Sequence, residues 1–387
     1  MDDSSFQALA AQCPGLQHLC IGFEGSDESI YHPDDYYCSV ISDTALIEIA
    51  HNCHQLRSLE LLRCNQITGQ AIGQVARMCS GLVNFKLHNC PKVVSERAIV
   101  QVFERCHELE VIDIVPARWH AAQDLLLWQT EGWGRWQLGF HALFTMAANC
   151  PNLRELTISE EHLEWELKQR AGVEGAREGE EKAQDGKGEG KRKMGRGRGK
   201  RGRGRAYEAV VDSLGISTVL EGCRQLTKVA FTQLDIAESV FERMARQTTQ
   251  LQVFQMHDSG LTDLALAAVV KGCQQLAYLS MQGPPLRPAR PGSGPQPPLS
   301  AIGSVTDAGL KAVAAHCSML KGLSITRNAC ITDKGLASLA AASSDMLQQL
   351  QEFALEAVQC TWEGVQLLLK QCPGLQKLNL YGIHPCL

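Results

Sequence analysis

CHQLRSLELLRCNQITGQAIGQVARM, Cys53 to Met78, is the stretch that decides how this chain folds. Leu59 and Leu61 alternate with Ser58, Glu60 and Leu62, the period of two that a short strand shows when one face is buried. Ile72, Val75 and Ala76 follow at helical spacing, so the unit predicts a strand and then a helix. Leu56 stands three residues after Cys53, Cys64 and Ile67-Thr68 occupy the turn between the two elements, and Cys79 opens the unit again.

Outward from this unit the cysteine slot returns, at Cys13, Cys53, Cys79, Cys106, Cys150, Cys223, Thr248, Cys273, Cys317, Leu347 and Cys372. Three residues after each comes Leu16, Leu56, Leu82, Leu109, Leu153, Leu226, Leu251, Leu276, Leu320, Leu350 or Leu375. Eleven matches at one offset, with a basic spacing near 26 residues, make this a leucine-rich-repeat array. The expected fold is a single α/β solenoid, a horseshoe with parallel strands on its concave face and helices on its convex face, because a stacked core grows in one dimension. Residues 1–12 read as the helical half of a repeat, and the last repeat stops just after its strand, so truncation at one or both ends is expected. Ser42-Asp43, Ser95-Glu96, Thr262-Asp263, Thr306-Asp307 and Thr332-Asp333 stand where oxygens accept the free N–H groups of a first helical turn.

No run approaches the roughly 18 apolar residues of a membrane span, and MDDSSFQALAAQCPG lacks the basic and apolar regions of a signal peptide. A soluble protein of the cytoplasm, the nucleus or both is expected, with no lipid anchor, since Cys386 is penultimate. Nine of the sixteen cysteines share the repeat slot, and Cys64, Cys90, Cys330 and Cys360 fall in the turn after a strand. Equivalent positions in a stack do not pair, so all these read as reduced core thiols. His51, Cys53, His54 and Cys79 have the ligand types of a zinc site, but the slot accounts for both cysteines and no metal or cofactor is expected. No phosphate-cradling loop and no Gly-x-Ser-x-Gly motif appears, which speaks against an enzyme.

The cysteine spacing, with CITDKGL at 330–336 and VTDAGL at 305–310, resembles the cysteine-containing leucine-rich repeats of F-box proteins and their F-box-less relatives. With insertions 24–39, 116–139, 160–207 and 283–303 set aside, the resemblance covers 278 of the 387 residues. It implies a curved solenoid that recognises another protein, similar to the substrate-recognition arm of SCF-type ubiquitin ligases in ubiquitin-dependent degradation. An F-box would precede the repeats, whereas the twelve residues ahead of Cys13 belong to one; a ligase adaptor is therefore expected as a partner of a longer form that carries it.

All four insertions follow a strand, after Gly22, Val115, Ser159 and Gln282, and so should leave from one edge of the horseshoe. The second concentrates Trp119, Trp128, Trp133 and Trp136, either a docking surface or rings folded back onto the edge. The third holds Lys191, Arg192, Lys193, Arg196, Arg198, Lys200, Arg201, Arg203 and Arg205 among glycines. Residues 187–205 carry +9 within a chain of −5, leaving −14 for the rest. Such a run builds no core and suits nuclear import or weak RNA contact, which makes an RNA-associated protein the rival reading. The fourth has seven prolines between Pro284 and Pro298, a linker by composition with a polyproline II motif that SH3-type modules bind.

The surface expected to bind is the concave sheet, whose residues alternate with the buried ones. Glu60, Lys86, His88, Asp113, Thr157, Lys228, Gln255, His257, Tyr278, Ser280, Ser324, Glu352 and Asn379 are the candidates for protein contact. Their mixed charges suit a protein partner better than a polyanion.

Overall fold

The computed structural model describes residues 3–22, 41–93, 96–115, 138–159, 213–234, 236–283, 305–342 and 344–382. Its strands are β1 (His18–Ile21), β2 (Ser58–Leu62), β3 (Asn84–His88), β4 (Val111–Val115), β5 (Glu155–Ser159), β6 (Lys228–Thr232), β7 (Val253–His257), β8 (Tyr278–Gln282), β9 (Gly322–Thr326), β10 (Glu352–Glu356) and β11 (Lys377–Tyr381). They form one 11-stranded parallel sheet in chain order. Leu59, Phe85, Ile112, Leu156, Val229, Phe254, Leu279, Leu323 and Phe353 lie in register, all buried, and form one continuous apolar row beneath the sheet.

The other wall of the core is a layer of helices stacked in chain order, with Asp333–Ala340 packing directly on Trp362–Leu369. Most span ten residues, as in Asp43–Asn52, Gly69–Met78, Asp263–Gly272 and Asp307–His316. In Gly69–Met78 the buried side chains are Ala71, Ile72, Val75 and Ala76, the face that the spacing of the opening stretch predicts. The repeat with Leu347 in its slot differs, its ten-residue helix being replaced by Asp333–Ala340 and the short Ser344–Gln349.

The slot explains its cysteines. The Cys79 N–H closes the preceding helix onto Val75, and its Sγ lies 3.5 Å from the Cys53 carbonyl one repeat earlier. That carbonyl also accepts the Leu56 N–H at 3.2 Å, so both its lone pairs are used without water. Cys223 reaches Cys150 O at 3.3 Å and Cys273 reaches Thr248 O at 3.4 Å in the same way. Alanine in the slot would leave no such donor. All described cysteines are thiols, buried at every slot except Cys13.

Two expectations from the sequence are corrected. Cys330 is only half-buried, unlike Cys360, which also lies four residues beyond its strand, and unlike Cys64 and Cys90, which lie two beyond theirs. Asn328 holds the equivalent place, donating from Nδ2 to Met281 O at 3.2 Å and Thr326 O at 2.9 Å. The Ser/Thr-acid pairs are not simply two caps each. Thr262, Thr306 and Thr332 do accept from Ala265, Ala308 and Lys334 N–H, but Ser42 makes no such bond and Ser95 lies outside the described residues. The aspartates turn to the next repeat. Asp307 accepts from Thr332 N at 2.8 Å and Thr332 Oγ1 at 2.7 Å, and Asp43, Asp263 and Asp333 grip Thr68, Thr306 and Thr361 alike.

Just after eight of the strands the backbone turns left-handed, at Gly22 (φ 106°), Arg63, Asn89, Gln233, Asp258, Arg327, Ala357 and Gly382. At the six non-glycine positions this aims the N–H at the last carbonyl of the next strand, as in Arg63 N to His88 O at 2.7 Å and Arg327 N to Glu356 O at 2.8 Å. The hydrogen bond offsets a conformation that costs a non-glycine residue about 1 kcal/mol. Gly22, Val115, Ser159 and Gly283, the last described residues before four long gaps, all stand at this edge.

Candidate functional site

Strand register fixes which side chains share the concave face. Glu60, Lys86, Asp113 and Thr157 form the middle row of its first half, and Gln255, Ser280, Ser324, Ala354 and Asn379 continue it in the second. His88 and His257 lie in the row nearer the strand C-termini, Lys228, Tyr278 and Glu352 in the row nearer the N-termini. All thirteen sequence candidates are thus on one surface, though spread along its whole length. Trp119, Trp128, Trp133, Trp136 and the basic residues of 187–205 lie outside the described residues.

In the first half the charges satisfy one another. Lys86 Nζ is 3.5 Å from Glu60 Oε2, Asn84 Nδ2 donates to Glu60 Oε1 at 2.9 Å, and Lys228 Nζ is 3.1 Å from Glu155 Oε2. His88 Nε2 approaches Asp113 Oδ1 to 2.8 Å without the alignment of a hydrogen bond, and neither atom is reached by solvent. Half-exposed pairs of this kind are worth at most about 1 kcal/mol each, so they set a pattern of charge more than a stability.

The second half is more open. Arg327 donates to Asp258 Oδ1 at 2.7 Å, and both stand on the left-handed edge residues that strand periodicity does not identify. His257 Nε2 lies 2.9 Å from Ser280 Oγ, and burial pushes the imidazole pKa down, with Asp258 opposing the shift and Arg327 adding to it. A serine beside a neutral histidine suggests a nucleophile and its base. The Asp258 carboxylate, however, is taken by Arg327, and Ser280 sits mid-strand where backbone N–H groups are spent on the ladder, leaving no oxyanion donors beside it. The pair is a polar contact of the sheet.

Beyond it lies a notch of about 220 Å³. Ser280, Gly322, Ser324 and Ala354 make its floor, Gln255 and Tyr278 one wall, and Glu352, Lys377 and Asn379 the other. Gly322, the only glycine in any of the eleven strands, makes room there for the Tyr278 ring. Sequence alternation places Gly322 on this face, but only the register shows what flanks it. A larger hollow, about 570 Å³, lies on the convex side by Gly69 and Gly73, lined by Arg77, Lys92 and Arg97 on long side chains with no aromatic anchor.

Among the described residues no group of three or more His, Cys, Asp or Glu could hold a metal ion, and no helix is long and apolar enough to cross a membrane. His51 and His54 meet edge to face, while Cys53 and Cys79 are buried in the slot.

Stack, slot and sheet together define the class: a leucine-rich-repeat solenoid of α/β type. No protein family model matches the chain, and no curated protein matches it in sequence. Among solved structures it is similar to the yeast complex of Rad7 and Elc1, at 14% identity over 99% of this chain and 84% of that one, with a TM-score of 0.50. It also matches the leucine-rich-repeat protein LegL7 of Legionella pneumophila, at 9% identity over 92% of this chain and 98% of that one, with a TM-score of 0.39.

Proposed function

We propose that this protein is a non-catalytic scaffold that holds a segment of another protein against its concave sheet, in the manner of a substrate-recognition component of a ubiquitin ligase. One observation carries the reading: an unbroken sheet of eleven strands presents side chains of both charge signs around a notch. Such a face matches a polypeptide's mixture of groups, whereas nucleic acid calls for a continuous basic stripe. One solved structure of similar fold is itself a complex of two proteins, which is in keeping with this reading.

The test places a photo-crosslinking amino acid at Thr157 or Ser324 on the concave face, and at Leu264, 71% exposed on the convex one, as control. Discrete protein adducts at the two concave positions and none at Leu264 are expected. Equal capture from both faces, or none from the sheet, would sink the scaffold reading. Cullin adaptors co-purifying with the adducts are the result the ligase role requires; their absence from a protein that still captures on the sheet removes that role alone. The basic insertion supports a second reading, RNA association through residues 187–205, because that segment carries +9 in a chain whose remainder carries −14.

A further inference from the structure

We infer that the notch over Gly322 is a pocket for an arginine side chain of the partner segment, its guanidinium stacked on Tyr278 and forked onto Glu352. This rests on the concave-face reading above and gives it a chemical specificity.

Tyr278, Gly322, Glu352 and Lys377 face one another across four successive strands. Neighbouring strands lie about 4.8 Å apart, so the tyrosine and the glutamate start roughly 10 Å from each other with only a glycine between. The Tyr278 ring leans into that space: a methyl group on Gly322 would come within 2.5 Å of its Cδ1. Tyr278 remains 37% exposed while lining the notch, so its ring is accessible to a ligand there. Below are only the short side chains of Ser324 and Ala354. At about 220 Å³ the space is below the roughly 300–1,000 Å³ of small-molecule sites and fits one long side chain.

Its chemistry selects that side chain. One wall is an aromatic face, which attracts cations, and the opposite wall is a carboxylate. Glu352 Oε2 is 3.9 Å from Lys377 Nζ, with the two side chains 49% and 61% exposed, a loose pair that a better donor displaces. An apolar or acidic side chain would leave the carboxylate unanswered. Lysine would answer it as a point charge, but only a planar guanidinium both stacks on the ring and donates two parallel N–H groups to the carboxylate.

Fluorescence anisotropy with a labelled peptide of alternating glycine and arginine, against the same peptide with lysine or with uncharged citrulline, tests this. The full chain and the chain without residues 187–205 are both titrated, so that its own arginines are not competing unseen. The arginine peptide should bind about tenfold more tightly than the lysine one. Gly322→Val, which pushes the Tyr278 ring off its seat and leaves every charge, and Glu352→Gln should each erase that preference; Lys377→Met should strengthen arginine binding. Tyr278→Leu, which removes the ring without crowding the strand, keeps the test open should Gly322→Val unfold. Equal binding of arginine and lysine peptides, or an arginine preference that survives both Gly322→Val and Tyr278→Leu, overturns the pocket. Crosslinking from Thr157, four strands from Gly322, separates the two ideas: adducts there without arginine preference sink the pocket alone, and loss of both sinks the scaffold as well.

Discussion

A slot thiol is held by burial and by the carbonyl of the repeat before it, and both work against its ionisation. Burial pushes Cys79 and Cys273 up to about 11, and Cys106, Cys223 and Cys317 up to about 12, from 9.0. Because the thiolate is the nucleophile, iodoacetamide on the native protein should label Cys13, Cys20 and Cys330 and spare Cys79 and Cys317, read by peptide mass mapping. Ready alkylation of the last two in the fold would refute the slot. The same shifts set a pH limit with a definite sign. Below pH 9 folded and unfolded chains hold these protons equally; above it the unfolded chain loses them first. Stability present below pH 9 should therefore be lost as pH climbs from 9 towards 12, a fall in melting temperature that replacing Cys223 with Ala should make shallower. Slot thiols were legible because eleven equivalent positions outvote any pairing scheme. Cys330 was not, since Cys360 stands at the same offset of four residues from its strand end and is buried.

Strands and helices were legible for a related reason: each is short, amphipathic and repeated, so local pattern and global stack agree. Leu59, fully buried in β2, carries that agreement, and Leu59→Ala should cost about 2–5 kcal/mol in urea unfolding. An unchanged midpoint would mean the strand phase is wrong. The contacts between helices were less legible. Threonine followed by aspartate announces a helix start, but the destination of the carboxylate depends on how far apart two helices stack, which no single repeat encodes. Removing both bonds in Asp307→Ala should cost about 1.5–3 kcal/mol, whereas Glu363→Ala, an exposed first-turn acid without such a bond, should change the midpoint little. Equal effects would reduce the aspartates to helix-dipole partners. Gly69 stands where neighbouring helices carry this acid, which is why the convex hollow opens there. On the concave side, alternation identified the face and its thirteen candidates, while the notch needed register: a glycine is informative only once its neighbours are Tyr278 and Glu352.

Over the whole molecule, charge is divided between residues 187–205 and the rest of the chain. With +9 in residues 187–205 and −14 elsewhere, deletion of that segment should abolish weak binding to single-stranded RNA while leaving the melting temperature and concave crosslinks unchanged. Each phosphate contact contributes a slope near −0.7 in log K against log salt, so binding by the intact chain should fall steeply with ionic strength. Salt-insensitive binding that survives the deletion would move the nucleic-acid site onto the solenoid. A longer interruption, residues 160–212, separates β5 from β6, yet these strands pair in full register and Cys223 bonds back to Cys150 across the join. The helix over 213–222 packs so closely on Phe140–Asn149 that Gly215 and Gly222 have no room for a Cβ against Leu143 and Ala147. Continuity of the polypeptide is thus not what holds the two halves together. Cut within 160–212, the protein should behave as two complementing fragments that co-express, find each other and restore one array, a ready-made split reporter whose signal would depend on that single seam.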